Sequence, residues 1–288
     1  MFKVLQKGQL FDSGRRVGAF KIFIVTHTGV HGARQKLRRR EHKSAKIIGT
    51  RVELDPTATG MDPTATDSVP TRAGSLRVHR WEPSASSSPP PLTVVTVHPW
   101  APLGGSEYNT IGIAREMAAA GLRAVTFNMR SSSMVWGVLS NHSSEVGQVV
   151  DVCEWALTTF PDSKVLLLGS SAGAPQAGSA LDKVPGIVGY AAVGYTFGWL
   201  SSIAFGRHFD ALLKSSKPRL LIMGDRDEFT SESQLRSMLQ KVKSDTPCES
   251  VIYPGCGHFE LESPSYDGRV SRTVLEWIEN RGLRGRGK

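Results

Sequence analysis

Residues 169–173, Gly-Ser-Ser-Ala-Gly, could provide a nucleophilic serine. They match the pattern G-x-S-x-G and stand between an apolar run, which predicts a strand ending at Leu168, and small residues that predict a helix over Ala172–Leu181. A serine at such a turn has a strained backbone conformation, and glycines on both sides prevent clashes with neighbouring backbone. The sequence therefore predicts Ser171 as an exposed nucleophile.

A partner acid is expected in residues 224–228, Gly-Asp-Arg-Asp-Glu, which follow a strand predicted over Arg219–Met223. Catalytic groups collect at the carboxyl ends of strands in open α/β sheets. Asp227 is the preferred acid because it lies past the turn residue, where it could point back towards the sheet. Asp225 and Glu228 are alternative acids. A third interpretation is that all three acids are ordinary residues of a turn with no catalytic role.

A base is expected in the glycine-rich loop 254–259, which follows a strand predicted over Glu249–Tyr253. Here His258 could take the proton of Ser171 and return it to a leaving group, while Asp227 fixes the ring's tautomer. A lone loop histidine is usually only a surface residue. The order serine, aspartate, histidine, each after a successive strand, favours the catalytic interpretation.

The loop that begins with His98 and Pro99 could complete an oxyanion hole. One donor would be the backbone N–H of Ala172, at the start of a helix whose dipole favours negative charge. The second would be the backbone N–H of Trp100, since proline has no N–H. His98 is then expected to be a structural hydrogen-bonding residue rather than a second base.

Aromatic residues between the predicted strands could form a substrate pocket near the serine. The alternative is ordinary core packing of an amphipathic helix. The pocket prediction comprises Trp136, Tyr195, Phe197 and Trp199, with Trp100, Ile203 and Phe205 as further candidates.

These residues require a sheet that holds several strand ends at one edge. From Ser75 onward, short β-rich runs alternate with amphipathic stretches, which predicts an α/β domain with a doubly wound, mainly parallel sheet flanked by helices. The remaining strands are predicted at 76–81 (an edge strand), 93–97, 122–127, 164–168 and 187–193, and the remaining helices at 107–120, 143–160, 231–242 and 268–279.

The stretch from about Arg77 to Ile278 resembles the α/β-hydrolase superfamily, and in detail its dienelactone-hydrolase-like branch. The motifs of that branch are HP-x-x-x-x-GG, FN-x-R, G-x-S-x-G and GHF, and this chain has His98-Pro99 with Gly104-Gly105, then residues 127–130, 169–173 and 257–259. The resemblance implies a minimal lid and a cofactor-free serine hydrolase that forms an acyl-enzyme. Residues 131–136 and Trp100 depart from the branch, which leaves the substrate open.

The charge of the chain is concentrated at its beginning. The net charge is +9, and residues 1–60 carry 13 Lys and Arg against 4 Asp and Glu, whereas the rest carry 22 of each. Residues 1–60 are interpreted as a basic, disordered extension, with an organelle address or a nuclear or nucleic-acid segment as alternatives. Residues 61–74 are predicted to be a low-complexity linker, 75–281 the catalytic domain and 282–288 a basic tail.

The composition argues against several other classes of protein. Cys153, Cys248 and Cys256 are too few and too irregularly spaced for a disulfide framework or a zinc site, so no metal is expected and a reducing, cytoplasmic compartment is favoured, with an organelle or the nucleus left open by the basic segment. The longest apolar run near the start, Ala19–Val25, is too short to span a membrane.

The favoured hypothesis is a serine hydrolase that cleaves an ester, thioester or related acyl bond of a small molecule, with peptidase activity left open. The alternative is a non-catalytic ligand-binding or scaffold module on the same fold. Nucleic-acid binding is not expected of the neutral body, because only the segment 1–60 is basic.

Overall fold

The computed structural model describes residues 62–84, 90–131, 134–197, 205–242, 245 and 248–284, with residues 134–136 described by their backbone alone. These residues belong to one compact unit, Asp55–Lys288. The predictions made for the basic segment 1–60, for Trp199 and for Ile203 fall outside the described ranges.

Within these ranges the chain forms one sheet of eight strands. They are β1 (Ala65–Val69), β2 (Leu76–Trp81), β3 (Leu92–Val97), β4 (Arg123–Phe127), β5 (Lys164–Ser170), β6 (Ile187–Val193), β7 (Arg219–Gly224) and β8 (Cys248–Tyr253). They lie in the order β1-β2-β4-β3-β5-β6-β7-β8. The pairs β1–β2 and β2–β4 are antiparallel and all other pairs are parallel, so β2 runs opposite to the other strands. The prediction of a mainly parallel, doubly wound sheet is confirmed.

The first strand corrects two predictions. Ala65–Val69 falls inside the predicted linker 61–74 but pairs with β2, so it is the edge strand and β2 is not. Only Val69 of this strand is fully buried, and Arg80 on β2 holds Asp67 with an Nε to Oδ2 distance of 2.6 Å. An edge strand that buries one face needs few apolar residues, which is why its composition resembles a linker.

Helices cover both faces of this sheet. They are α1 (Tyr108–Ala119), α2 (Met134–Leu139), α3 (Ser143–Thr159), α4 (Gly173–Ala180), α5 (Phe209–Lys214), α6 (Glu232–Leu239), α7 (His258–Leu261) and α8 (Pro264–Asn280). The five predicted helices all form. The last begins at Pro264 rather than at the predicted Gly268, because proline is well accommodated in the first turn of a helix. The short helices α2, α5 and α7 were not predicted.

Side chains of the central strands belong alternately to two hydrophobic clusters, one on each face of the sheet. On β3, Val95 packs in the cluster that contains residues of α3 and α4, whereas Val94 packs in the cluster that contains residues of α1 and α8. This alternation is the period of two that a strand imposes on its side chains. The sheet is therefore buried on both sides, as parallel sheets are.

The strand order places a reversal point between β3 and β5. The chain passes from β3 to β4 on one side and then to β5 on the other side of β3. Loops at the carboxyl ends of the strands flanking such a point form the crevice in which open α/β sheets bind ligands. The loops that follow β3 and β5 are those that carry Trp100 and Ser171.

Candidate active site

Ser171 occupies a strained turn between β5 and α4. Its φ angle is +50°, in the left-handed region that a non-glycine residue rarely adopts. Its backbone N–H donates to the carbonyl of Val193 at the end of β6, over 2.8 Å. This hydrogen bond to the neighbouring strand thus holds Ser171 in its strained conformation.

Two glycines permit this turn because the backbone packs tightly around it. A Cβ on Gly173 would lie 2.0 Å from the carbonyl oxygen of His98, and one on Gly169 would lie 2.6 Å from the Cα of Ala174. No side chain fits at such distances from backbone atoms. The first turn of α4 therefore lies directly against the loop that follows β3.

The structure brings Ser171, His258 and Asp227 into one hydrogen-bonded row. The Oγ of Ser171 lies 2.7 Å from Nε2 of His258, and Nδ1 of His258 lies 2.7 Å from Oδ2 of Asp227. The side chains of His258 and Asp227 are buried, at 1% and 0% exposure. A base that contacts a hydroxyl and is oriented by a carboxylate is an arrangement that can activate that hydroxyl.

The three acids of the loop after β7 have different contacts. Asp225 accepts the backbone N–H of Gly255, and Glu228 accepts the backbone N–H of His258. Only Asp227 contacts the imidazole ring of His258. Each acid therefore has a role in the turn, but one of them alone lies in line with the ring.

The carboxylate of Asp227 is fixed by backbone donors. Its Oδ1 accepts the N–H groups of Phe229 and Thr230, both over 2.8 Å, which leaves Oδ2 for His258. The hydroxyl of Thr230 in turn donates to the carbonyl of Tyr195 in the loop after β6. Two strand-end loops are thus tied together behind the histidine.

The surroundings of His258 favour its charged form. Burial by itself lowers the pKa of this ring, but the hydrogen bond and the charge of Asp227, with smaller effects of Glu262 and Glu228, outweigh burial and raise the pKa above its ordinary value of 6.5. An imidazolium formed by proton transfer from Ser171 would therefore be stabilised.

Glu262 lies in the same site, although it is not among the residues predicted from the sequence. Its Oε1 lies 3.8 Å from Nε2 of His258 and accepts a hydrogen bond from the Ser170 hydroxyl over 3.2 Å. Burial raises the pKa of Glu262, against the charge of His258 and hydrogen bonds from Ser171 and Ser170. The available signal was its spacing, four residues after a histidine that begins a helix, which puts both side chains on one face.

The two predicted oxyanion donors are both available in the described part of the chain. The backbone N–H groups of Trp100 and Ala172 donate to no group there. Ala172 immediately precedes α4, whose first turn packs against His98. The indole ring of Trp100 is 1% exposed and packs edge-on against His142 and Phe205, so its side chain belongs to the core.

His98 uses both ring nitrogens in contacts with backbone. Its Nδ1 lies 2.6 Å from the carbonyl of Pro99, and its Nε2 accepts the N–H of Met129 over 2.9 Å. Burial lowers the pKa of His98, which favours the neutral ring that this acceptor role requires. The ring joins the ends of β3 and β4, in agreement with a structural role.

The FN-x-R motif also has structural contacts. Asn128 donates to the buried carboxylate of Glu107 and accepts the backbone N–H of the same residue. The guanidinium of Arg130 donates to the carbonyls of Ala73 and Ser75, between β1 and β2. These bonds hold the loop after β4 in place and leave the polar groups paired.

The aromatic residues predicted to line a pocket divide into two groups. Tyr195 and Phe197 are 2% and 6% exposed, stack at 4.3 Å between ring centroids, and pack against Phe209 in the core. Their burial favours the core-packing alternative over the pocket. The side chain of Trp136 and all of Trp199 fall outside the described residues, so both stay predictions.

The described residues contain no group of three or more His, Cys, Asp or Glu side chains arranged to hold a metal ion. No helix among them is both long enough and apolar enough to cross a membrane.

Solved structures share this architecture. A serine hydrolase homologue from Coxiella burnetii is 22% identical, with a TM-score of 0.60, over 74% of this chain and 99% of that chain. An α/β serine hydrolase without a lid from Xanthomonas campestris is 23% identical, with a TM-score of 0.59, over 75% and 97% of the two chains. The chain has the α/β-hydrolase fold.

A third solved structure shares the fold. This protein from Klebsiella pneumoniae, whose proposed identity is a dienelactone hydrolase, is 16% identical, with a TM-score of 0.58, over 75% of this chain and 97% of that chain. No family model and no curated protein matches the chain. At these identities the similarity establishes the fold and leaves activity to be argued from the site.

The positive φ of Ser171 predicts an unusual order of stability among its variants. Ser171→Gly should have a free energy of unfolding about 1 kcal/mol higher than Ser171→Ala, because glycine adopts the left-handed region without strain. Urea denaturation measures both values. The control is Ser237, exposed on α6, where the glycine variant should be about 1 kcal/mol less stable than the alanine variant. The same order at both positions would contradict the strain at Ser171.

Proposed function

We propose that the protein is a serine hydrolase that cleaves an ester, thioester or related acyl bond of a small molecule. The observation that carries the proposal is the row of short contacts from Ser171 through His258 to Asp227. Ser171 is the nucleophile, His258 the general base and acid, and Asp227 the group that orients the ring.

The reaction proceeds in two halves. In the first, Oγ of Ser171 attacks the carbonyl carbon while its proton moves to Nε2 of His258, and the proton then passes to the leaving group as the acyl bond breaks. In the second, water gives a proton to the same nitrogen and attacks the acyl-enzyme. Ser171 recovers its proton as the carboxylic acid is released.

The backbone N–H groups of Trp100 and Ala172 donate hydrogen bonds to the carbonyl oxygen and stabilise the negative charge that develops on it. Both donors are fixed by the contact of α4 with the loop after β3, so little reorganisation is needed when charge develops. The dipole of α4 contributes in the same direction. Support also comes from the names of the similar structures, which include serine hydrolases.

A fluorophosphonate probe tests the proposal and separates it from the alternative of a non-catalytic scaffold. The probe should label the wild type covalently, and Ser171→Ala should abolish labelling because the nucleophilic oxygen is lost. Ser170→Ala is the matched control, since Ser170 is the adjacent hydroxyl and should not be the labelled atom. A folded wild type that is not labelled would exclude the hydrolase.

The choice of acid is tested by a pair of isosteric variants. Asp227→Asn should lower kcat/KM for an activated ester by about 10³–10⁴-fold, because the amide does not support the required tautomer or the imidazolium. Asp225→Asn should have little effect, since the carbonyl oxygen of asparagine can still accept the N–H of Gly255. Equal losses in the two variants would overturn the assignment of Asp227.

The raised pKa of His258 predicts the acid limb of the pH profile. The ring must be neutral to accept the proton of Ser171, so kcat/KM should fall as pH decreases, with a midpoint above 6.5. Glu228→Gln should move the midpoint to lower pH, because it removes a negative charge near the ring while keeping an acceptor for the backbone N–H. A wild-type midpoint at or below 6.5 would contradict the electrostatic account.

A further inference from the structure

The proposed reaction gives no role to the carboxylate of Glu262. This side chain is 10% exposed and lies 3.8 Å from Nε2 of His258, beside the nucleophile. A negative charge in that position opposes the development of an oxyanion unless a positive charge compensates it. The imidazolium supplies such a charge only transiently.

The carboxylates around His258 form no direct ion pair with a lysine or arginine of the described chain. Within the described ranges, no Lys or Arg nitrogen lies within 4.0 Å of Glu262, Asp227, Glu228, Asp225 or Glu260. Elsewhere on the domain such pairs are formed, for example between Arg123 and Glu82. The carboxylate of Glu262 therefore has no direct ion pair with a lysine or arginine of the described residues, although residues 61–288 carry equal numbers of acidic and basic residues.

An exposed aromatic ring stands beside the same histidine. Phe229 is 39% exposed, and its ring centroid lies 4.6 Å from that of His258. Large exposed apolar side chains next to carboxylates without cationic partners are suited to an organic cation, which gains from ring faces and negative charge together.

From this arrangement we infer that the preferred substrates carry a positive charge, an ammonium group, in the leaving part of the molecule, and that Glu262 binds it. The proposed mechanism determines which part of the substrate carries the ammonium group. The proton on Nε2 of His258 passes to the leaving atom, so the leaving group must lie at that nitrogen, and Glu262 is the carboxylate next to it. The inference rests on the proposed function.

Two thioesters that differ only in charge test the inference. Acetylthiocholine has a trimethylammonium group in its thiol part, and S-(3,3-dimethylbutyl) thioacetate has a neutral tert-butyl group of the same shape. Water converts each to acetate and a free thiol, which a disulfide reagent detects. The wild type should favour the cationic ester by about tenfold in kcat/KM, as expected for one charge pair at a partly exposed site.

Glu262→Gln should lower this ratio to about one, because it removes the charge and keeps the shape of the side chain. Comparing ratios cancels any effect of the variant on the shared chemistry of the two esters. Glu276→Gln is the matched control: the same charge is removed from an exposed position on α8, and the ratio and the activity should not change. A ratio near one in the wild type, or an unchanged ratio in Glu262→Gln, overturns the inference.

A binding measurement separates this result from failure of the proposed function. Choline should slow fluorophosphonate labelling of Ser171 more strongly than 3,3-dimethylbutan-1-ol does, and the difference should disappear in Glu262→Gln. If both compounds slow labelling equally, the inference is wrong but the proposed hydrolase function still stands. Absence of any labelling of the folded wild type overturns both.

Discussion

The contact between the first turn of α4 and the carbonyl of His98 is the constraint on which the site depends. It joins the ends of β3 and β5 at the point where the strand order reverses, and it is possible only because position 173 is glycine. Moving α4 outward by the width of a methyl group would displace the N–H of Ala172 and relax the turn at Ser171. A small steric requirement therefore fixes both Ser171 and the backbone N–H groups that we propose as oxyanion donors.

The histidine side of the site is built by a different principle, since it consists of loops tied by hydrogen bonds. Backbone donors hold Asp227, and Thr230 connects its loop to the carbonyl of Tyr195. Because His258 begins the short helix α7, its ring is directed by a structured turn. Packing fixes the residues on the Ser171 side of the site, whereas hydrogen bonds fix those on the His258 side.

Much of this organisation could be predicted from the sequence, because parallel strands are continuous apolar runs and the candidate residues follow them directly. The location of strands β3 to β8 was predictable for that reason, and with it the edge at which Ser171, Asp227 and His258 meet. β1 was not, since a polar edge strand owes its conformation to its partner rather than to its own residues. The packing of Tyr195 in the core could not be predicted either, because an aromatic residue after a strand has the same sequence pattern in a pocket wall and in a core.

Glu262 illustrates why electrostatics is the hardest part to predict. Its sequence position indicates only a helix turn after His258, and glutamate four residues from a helix start is usually solvated. Its effect depends on the lack of a Lys or Arg nitrogen within 4.0 Å among the described residues, which is a property of how several loops converge and not of any one of them. Asp227 and Glu262 contact opposite nitrogens of one ring, yet the first has its second oxygen satisfied by backbone donors, whereas the second accepts only hydroxyl donors. The first is thereby committed to the histidine, and the second retains capacity for a charge brought by the substrate.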